Sequence, residues 1–121
     1  MALEITISGT MDMARARQSL RKLGDEQAWP NALRVRAIAA LTAMAETLYF
    51  ARTERPVPLQ ISVEQVDERG QPRVELQTRT DFAQACRFCP TAQEQLERAS
   101  DELIINPSNG GDEIVVRLWS A

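Results

Sequence analysis

A chain of 121 residues with 44% hydrophobic and 26% charged side chains has the make-up of one globular domain able to bury its own core. A net charge of −3 argues against nucleic acid as a partner, because holding a phosphate backbone calls for a basic face. The absence of histidine removes Ser-His-Asp triads, histidine acid–base chemistry, histidine phosphorylation and every histidine-ligated metal site.

The first eight residues, MALEITIS, hold neither a basic region nor a long apolar run, so no signal peptide is expected and a cytoplasmic protein is. Within them Leu3–Ser8 alternates apolar and polar side chains, which predicts a half-buried strand. Asp12 is a good N-cap for a helix to about Leu23, with Ala16, Leu20 and Leu23 inward and Arg15, Arg17, Arg21 and Lys22 on a basic outer face. Gly24 is read as its stop. Pro30 suits the first turn of a second helix, Ala32–Thr53, in which Leu33, Ala37, Ala40, Leu41, Met44 and Leu48 share one face. Val35, Ile38 and Ala39 make it apolar nearly all round, the mark of a buried central helix. Its uncharged run, Ala37–Ala45, is too short to span a membrane.

Arg55–Pro58 is a stiff loop into a strand, Leu59–Val66, with Leu59, Ile61 and Val63 on one face. The turn Glu68-Arg69-Gly70-Gln71 returns the chain as Arg73–Thr78, which predicts an antiparallel hairpin. Arg79–Cys89 reads as irregular, with Phe82 and Phe88 inside it. A short helix follows from Pro90 or Thr91 to about Ala99, then strands Glu102–Asn106 and Glu113–Trp119 joined by a Pro107–Gly111 turn. The last strand could pair edge to edge with another copy if it were exposed. Cys86 and Cys89 form a lone C-x-x-C, which lacks the second pair a structural zinc site needs and reads as two reduced thiols of minor structural weight, with redox activity the open alternative where a helix begins at Pro90. Trp29 and Trp119 are candidates for interface anchors, with edge-strand cover the other reading of Trp119.

The order β-α-α-β-β-α-β-β predicts an α+β fold, a two-layer α/β sandwich in one domain, 1–121. Five strands form one mixed, mostly antiparallel sheet with the helices on one face.

This order and several strings resemble the GHKL ATPase superfamily, the fold of histidine-kinase ATPase domains. The branch resembled is that of the small anti-sigma-factor and switch serine kinases of bacterial partner switching (RsbW/RsbT-type). Asp12–Trp29 resembles the first helix and connector of that branch, including Arg17-Gln18, and Leu41–Ala51 sits where the family has its ATP- and magnesium-binding helix motif. Ser100–Trp119 resembles the closing hairpin. The chemistry-bearing positions depart from the pattern. The family's Glu-x-x-x-Asn, base and magnesium holder, falls on Ala43 and Thr47, with Glu46 the nearest substitute in another register. The adenine-reading aspartate falls on Thr80, next to Asp81, and no glycine lies between Thr78 and Thr91, where the family has a glycine-rich phosphate lid. The usual Gly-Thr of the last strand is Gly111-Asp112.

The resemblance implies a regulatory domain that binds another protein: a STAS-domain antagonist, a sigma factor or a phosphatase regulator. The departures imply that it does so without catalysis, cofactor or metal. By carry-over the partner surface is Arg15, Gln18, Arg21 and Lys22 on the first helix. The alternatives are an active ATP- and magnesium-dependent serine/threonine kinase using Glu46 and Asp81, and a structural homodimer subunit. None of these readings involves a membrane or nucleic acid.

Overall fold

The computed structural model describes residues 2–54 and 56–120; Arg55, the start of the expected stiff loop, lies outside them. The elements in chain order are β1 (Ala2–Ile7), α1 (Met11–Glu26), α2 (Asn31–Ala45), β2 (Leu59–Glu68), β3 (Gln71–Thr80), α3 (Phe82–Phe88), α4 (Ala92–Arg98), β4 (Glu102–Asn106) and β5 (Asp112–Trp119). The strands form one sheet in the order β1-β2-β3-β5-β4, and each of the four pairings is antiparallel. The expected α+β sandwich is therefore present.

Period-2 patterning explains the two layers. Leu3, Val63, Leu76, Val116 and Leu103 stand opposite one another across all five strands on the face toward the helices. Glu4, Ser62, Gln77, Val115 and Ile104 form a matching row on the other face. The core joins Ile5, Ile7, Ile61, Val74, Leu76, Ile114 and Leu118 of the sheet to Leu20, Leu33, Leu41, Met44 and Leu96 of the helices. Central α2 packs against α1, α4, β3 and β5. It is not buried all round, as its composition suggests, because Val35 and Ala39 face solvent on the side no element covers.

The sheet order corrects one expectation. β5 lies between β3 and β4 and has no free edge; the edges are β1 and β4. The β2–β3 hairpin closes through Arg69 (φ 53°) and Gly70 (φ 78°), the two left-handed residues a tight hairpin turn requires.

Helix ends account for most of the other differences. Thr10 occupies the N-cap position of α1, and Asp12 lies inside the first turn, accepting hydrogen bonds from Ser8 N (2.7 Å) and Ser8 Oγ (2.9 Å). Gly24 does not stop α1, which runs on to Glu26. Ala28 adopts φ 54° and makes the reversal. Trp29 N donates to Gly24 O (2.9 Å) and Ala28 N to Asp25 O (3.2 Å), a Schellman closure with alanine where glycine is usual. Trp29, 2% exposed and donating from Nε1 to Gln65 Oε1 at 2.9 Å, is core and no interface anchor. Pro30 stands at the N-cap of α2, one position before the helix proper.

The last turn of the central helix widens into a π turn over Glu46–Phe50, with Ala51 N bonding back to Glu46 O at 3.0 Å, so the expected helix to Thr53 ends early. The segment expected to be irregular, Arg79–Cys89, finishes β3 and then forms α3. Asp81 caps α3 by accepting from Gln84 N (3.1 Å), and Phe82 and Ala85 are buried beneath it.

Candidate functional site

A cleft of about 270 Å³ opens where the chain leaves the π turn, between Leu48 and Arg52 on one side, Thr80, Asp81 and Gln84 on another, and the β4–β5 turn at Gly110 and Gly111. Cross-strand pairing makes this juxtaposition, since Thr80 at the end of β3 faces Asp112 at the start of β5. Gly111 adopts φ 110°, a conformation other residues rarely take, and turns the chain beside Thr80.

The polar groups around the cleft hold one another. Arg52 Nη2 donates to Thr80 Oγ1 at 3.1 Å, which sets a guanidinium in the cleft wall, while its buried Nε has no partner among the described residues. Asp81 spends its carboxylate on the cap of α3. Asp112 accepts from Phe82 N (2.9 Å) and from Ser108 N (3.3 Å), tying α3 to the closing turn. Gln84 Nε2 donates to Glu54 Oε1 at 3.1 Å. Arg52 and Gln84 belong to no motif, and the only trace of Arg52 in the sequence is a cation just past an apolar helix end.

Thr80 and Asp81 line this cleft, and Asp112, paired with Thr80 across the strands, does not. Ala43 and Thr47 do not line it. They share a face of the central helix, but the Thr47 hydroxyl donates to the Ala43 carbonyl at 2.7 Å and the residue is 1% exposed. Glu46 is exposed, projects elsewhere and does not line the cleft either.

A larger depression, about 390 Å³, lies on the open face of the sheet among Glu4, Gln60, Ser62, Gln77, Arg79 and Glu113. Its side chains already pair across strands, Ser62 with Glu4 at 2.7 Å and Arg79 with Glu113 at 3.7 Å. None of the family positions reaches it, so the smaller cleft is the better candidate. Among the described residues no group of three or more Cys, Asp or Glu side chains is placed to hold a metal ion.

Arg15, Gln18, Arg21 and Lys22 are all exposed on α1. Helical spacing sets Arg15, Gln18 and Lys22 in one line with Arg21 beside it. Lys22 reaches Glu26 at 4.0 Å. Arg17 departs from the basic outer face expected for it: its Nε donates across to Thr42 Oγ1 (3.3 Å) and braces α1 on α2.

No family model matches the sequence, and no curated protein matches it. Among solved structures the chain is similar to the crystal structure of the RsbU and RsbW domains of a Mycobacterium tuberculosis protein. The TM-score is 0.65 at 14% identity, over 98% of this chain and 33% of that chain. The fold is RsbW-like. At that identity the likeness is one of fold, and the chain spans a third of the length of its structural neighbour. On the RsbW-like fold the stretch between β3 and β4 is wound into α3 and α4, whose Ala85, Ala92 and Leu96 are buried. Among the described residues no helix is long and apolar enough to cross a membrane.

Proposed function

We propose that this domain is a regulatory protein-binding module built on an RsbW-like fold, acting in partner switching without turning over ATP. The observation that carries the reading is the Thr47 hydroxyl, buried and spent on the Ala43 carbonyl at the two positions where the family's base and magnesium holder fall. Alanine offers no proton acceptor there, and a buried hydroxyl that already donates is a poor ligand for a hard cation that prefers accessible oxygens. The cleft, which these two positions do not line, supports the same reading. Asp81 and Asp112 are engaged with backbone N–H groups, Arg52 stands against Thr80, and the segment between β3 and β4, wound into two short helices, has no glycine with which to cradle phosphates. A substitute pair of Glu46 and Asp81 gains no support, since one projects to solvent and the other caps a helix.

A fold that keeps its shape without its catalytic groups retains its surface for recognition. The exposed Arg15, Gln18, Arg21 and Lys22 on α1 form the face offered to a partner, with a STAS-domain antagonist, a sigma factor or a phosphatase regulator as the classes implied by the resemblance. The test is calorimetric titration of ATP with magnesium, with a thermal-shift measurement beside it. The expected outcome is no heat and no shift at millimolar ATP. Micromolar binding would overturn the reading and favour the kinase.

A further inference from the structure

Cys86 and Cys89 are both free and both partly exposed at the C-terminal end of α3. We propose that they are a thiol modification site that closes to a reversible intramolecular disulfide by exchange with a low-molecular-weight disulfide such as oxidised glutathione. The inference is independent of whether the cleft binds nucleotide.

The backbone already holds the two residues at bridging distance. Cys89 N donates to Ala85 O at 2.9 Å, so the Cys89 Cα closes the last turn of the helix that holds Cys86, although Cys89 itself leaves the helix at φ −133°. Helix geometry puts Cα atoms three residues apart at about 5 Å. A disulfide needs roughly 4.4–6.8 Å. Little backbone movement is therefore required.

The two sulfurs have unlike surroundings, which assigns their roles. Gln95 Nε2 donates to Cys89 Sγ at 3.7 Å, and Thr91 Oγ1 lies 3.8 Å from the same sulfur. Gln95 Nε2 is itself 2.8 Å from Thr91 Oγ1, so the first turn of α4 presents a fixed polar pair to one thiol. These contacts hold Cys89 Sγ at the α3–α4 junction. Both cysteines pack against the edge of the core, and burial first and the neighbouring Cys89 second push the Cys86 thiol up. Cys89 is the attacking sulfur and Cys86 the resolving one.

The exchange balances in two steps. The Cys89 thiolate attacks one sulfur of oxidised glutathione, forming a mixed disulfide and expelling a glutathione thiolate. Cys86 then gives up its proton and attacks Cys89 Sγ, breaking the mixed disulfide and releasing the second glutathione thiolate. Two protein thiols are oxidised, and one glutathione disulfide becomes two thiols. Closure also draws Cys89 Sγ away from Thr91 and Gln95, and so acts on the α3–α4 junction. The opposite end of α3 forms part of the cleft wall at Asp81 and Gln84.

The test equilibrates the full chain in glutathione redox buffers, traps thiols by alkylation and weighs the products. Cys86→Ser, Cys89→Ser and the wild-type chain in guanidinium are run in parallel. The expected result is an internal disulfide, two hydrogens lighter, favoured at least about tenfold over the denatured chain because folding has already placed the thiols. Cys86→Ser should stop as a glutathione adduct, and Cys89→Ser should react roughly tenfold more slowly. A folded chain no easier to oxidise than the denatured one would overturn the proposal. So would a lasting glutathione adduct on the wild type, disulfide-linked dimers, or equal reaction rates for the two variants.

Discussion

The side chain that Gly24 lacks decides how α1 meets the next helix. A Cβ at this position would sit 3.1 Å from Trp29 Cε3 and 3.2 Å from Arg34 Cγ. Trp29 cannot retreat, being buried and bonded to Gln65, while Arg34 is held by Asp25 and by the Trp29 carbonyl. Alanine in an open helix gains about 1 kcal/mol over glycine. Gly24→Ala should instead lose about 1 kcal/mol, because overpacking outweighs that gain; urea denaturation would decide the sign. Four residues on, the situation is reversed. Ala28 bears the left-handed conformation that glycine takes without cost, so Ala28→Gly should raise stability by about 0.5–1 kcal/mol in the same assay. The sequence invites the opposite assignment, since a glycine after an amphipathic run reads as a stop. What it lacks is the distance from residue 24 to a tryptophan folded back over it. The cleft positions carry the same lesson. Asp81 and Asp112 are visible as carboxylates in the chain, but their use by Gln84 N and Phe82 N depends on a helix the pattern does not announce.

Among the elements, α3 was hidden because a seven-residue helix offers barely two turns of periodicity. Its legible signs are Asp81 as a cap and Phe82, Ala85, Cys86 and Cys89 at helical spacing. The junction of α2, β4 and β5 is also invisible to pattern, because its residues come from three distant segments. Arg36 Nη2 meets Asp101 Oδ1 at 2.6 Å and Arg36 Nη1 donates to Trp119 O at 3.2 Å, while Trp119 N donates to Asp101 Oδ2 at 2.8 Å. The Arg36 hydrogen bond, aided by the Trp119 N–H and opposed by burial, holds the Asp101 carboxyl below its usual value. A carboxyl whose folded pKa is depressed adds stability above its unfolded value, near pH 3.9, and loses it as pH falls through the lower folded value. Asp101→Asn should therefore cost about 1 kcal/mol at neutral pH, with less effect at high salt. The difference from wild type should shrink steadily below about pH 4 in a series of urea melts.

The outer sheet face carries a second cross-strand group. Glu75, 6% exposed, lies between Arg73 (3.1 Å) and Arg117 (2.9 Å), which reach on to Glu68 and Glu102. Glu75→Gln would leave two guanidinium groups short of their shared carboxylate and should lower stability by about 2 kcal/mol.

For the molecule as a whole, layers and strand boundaries were legible because alternation and turn residues are local signals. The sheet order was not, since nothing in Glu113–Trp119 itself says that it lies between two strands rather than at an edge. That order predicts the pattern of amide exchange. Protection should be greatest in β2, β3 and β5, which are paired on both sides, and lower in edge strands β1 and β4 and in the short α3. Mass-spectrometric exchange that found β4 as protected as β3 would contradict the arrangement. The same order constrains how the chain reaches its fold. β4 touches the sheet only through β5, and β5 must first find β3 across α3 and α4, with Arg117 landing opposite Glu75. During synthesis the β2–β3 hairpin can close as soon as it emerges, while β4 has to wait for a strand that leaves the ribosome after it. Docking of β5 is thus a long-range, late event. Until it happens the exposed edge of β3 is open to pairing with the wrong chain, which makes the interval before that last strand docks the protein's most vulnerable moment.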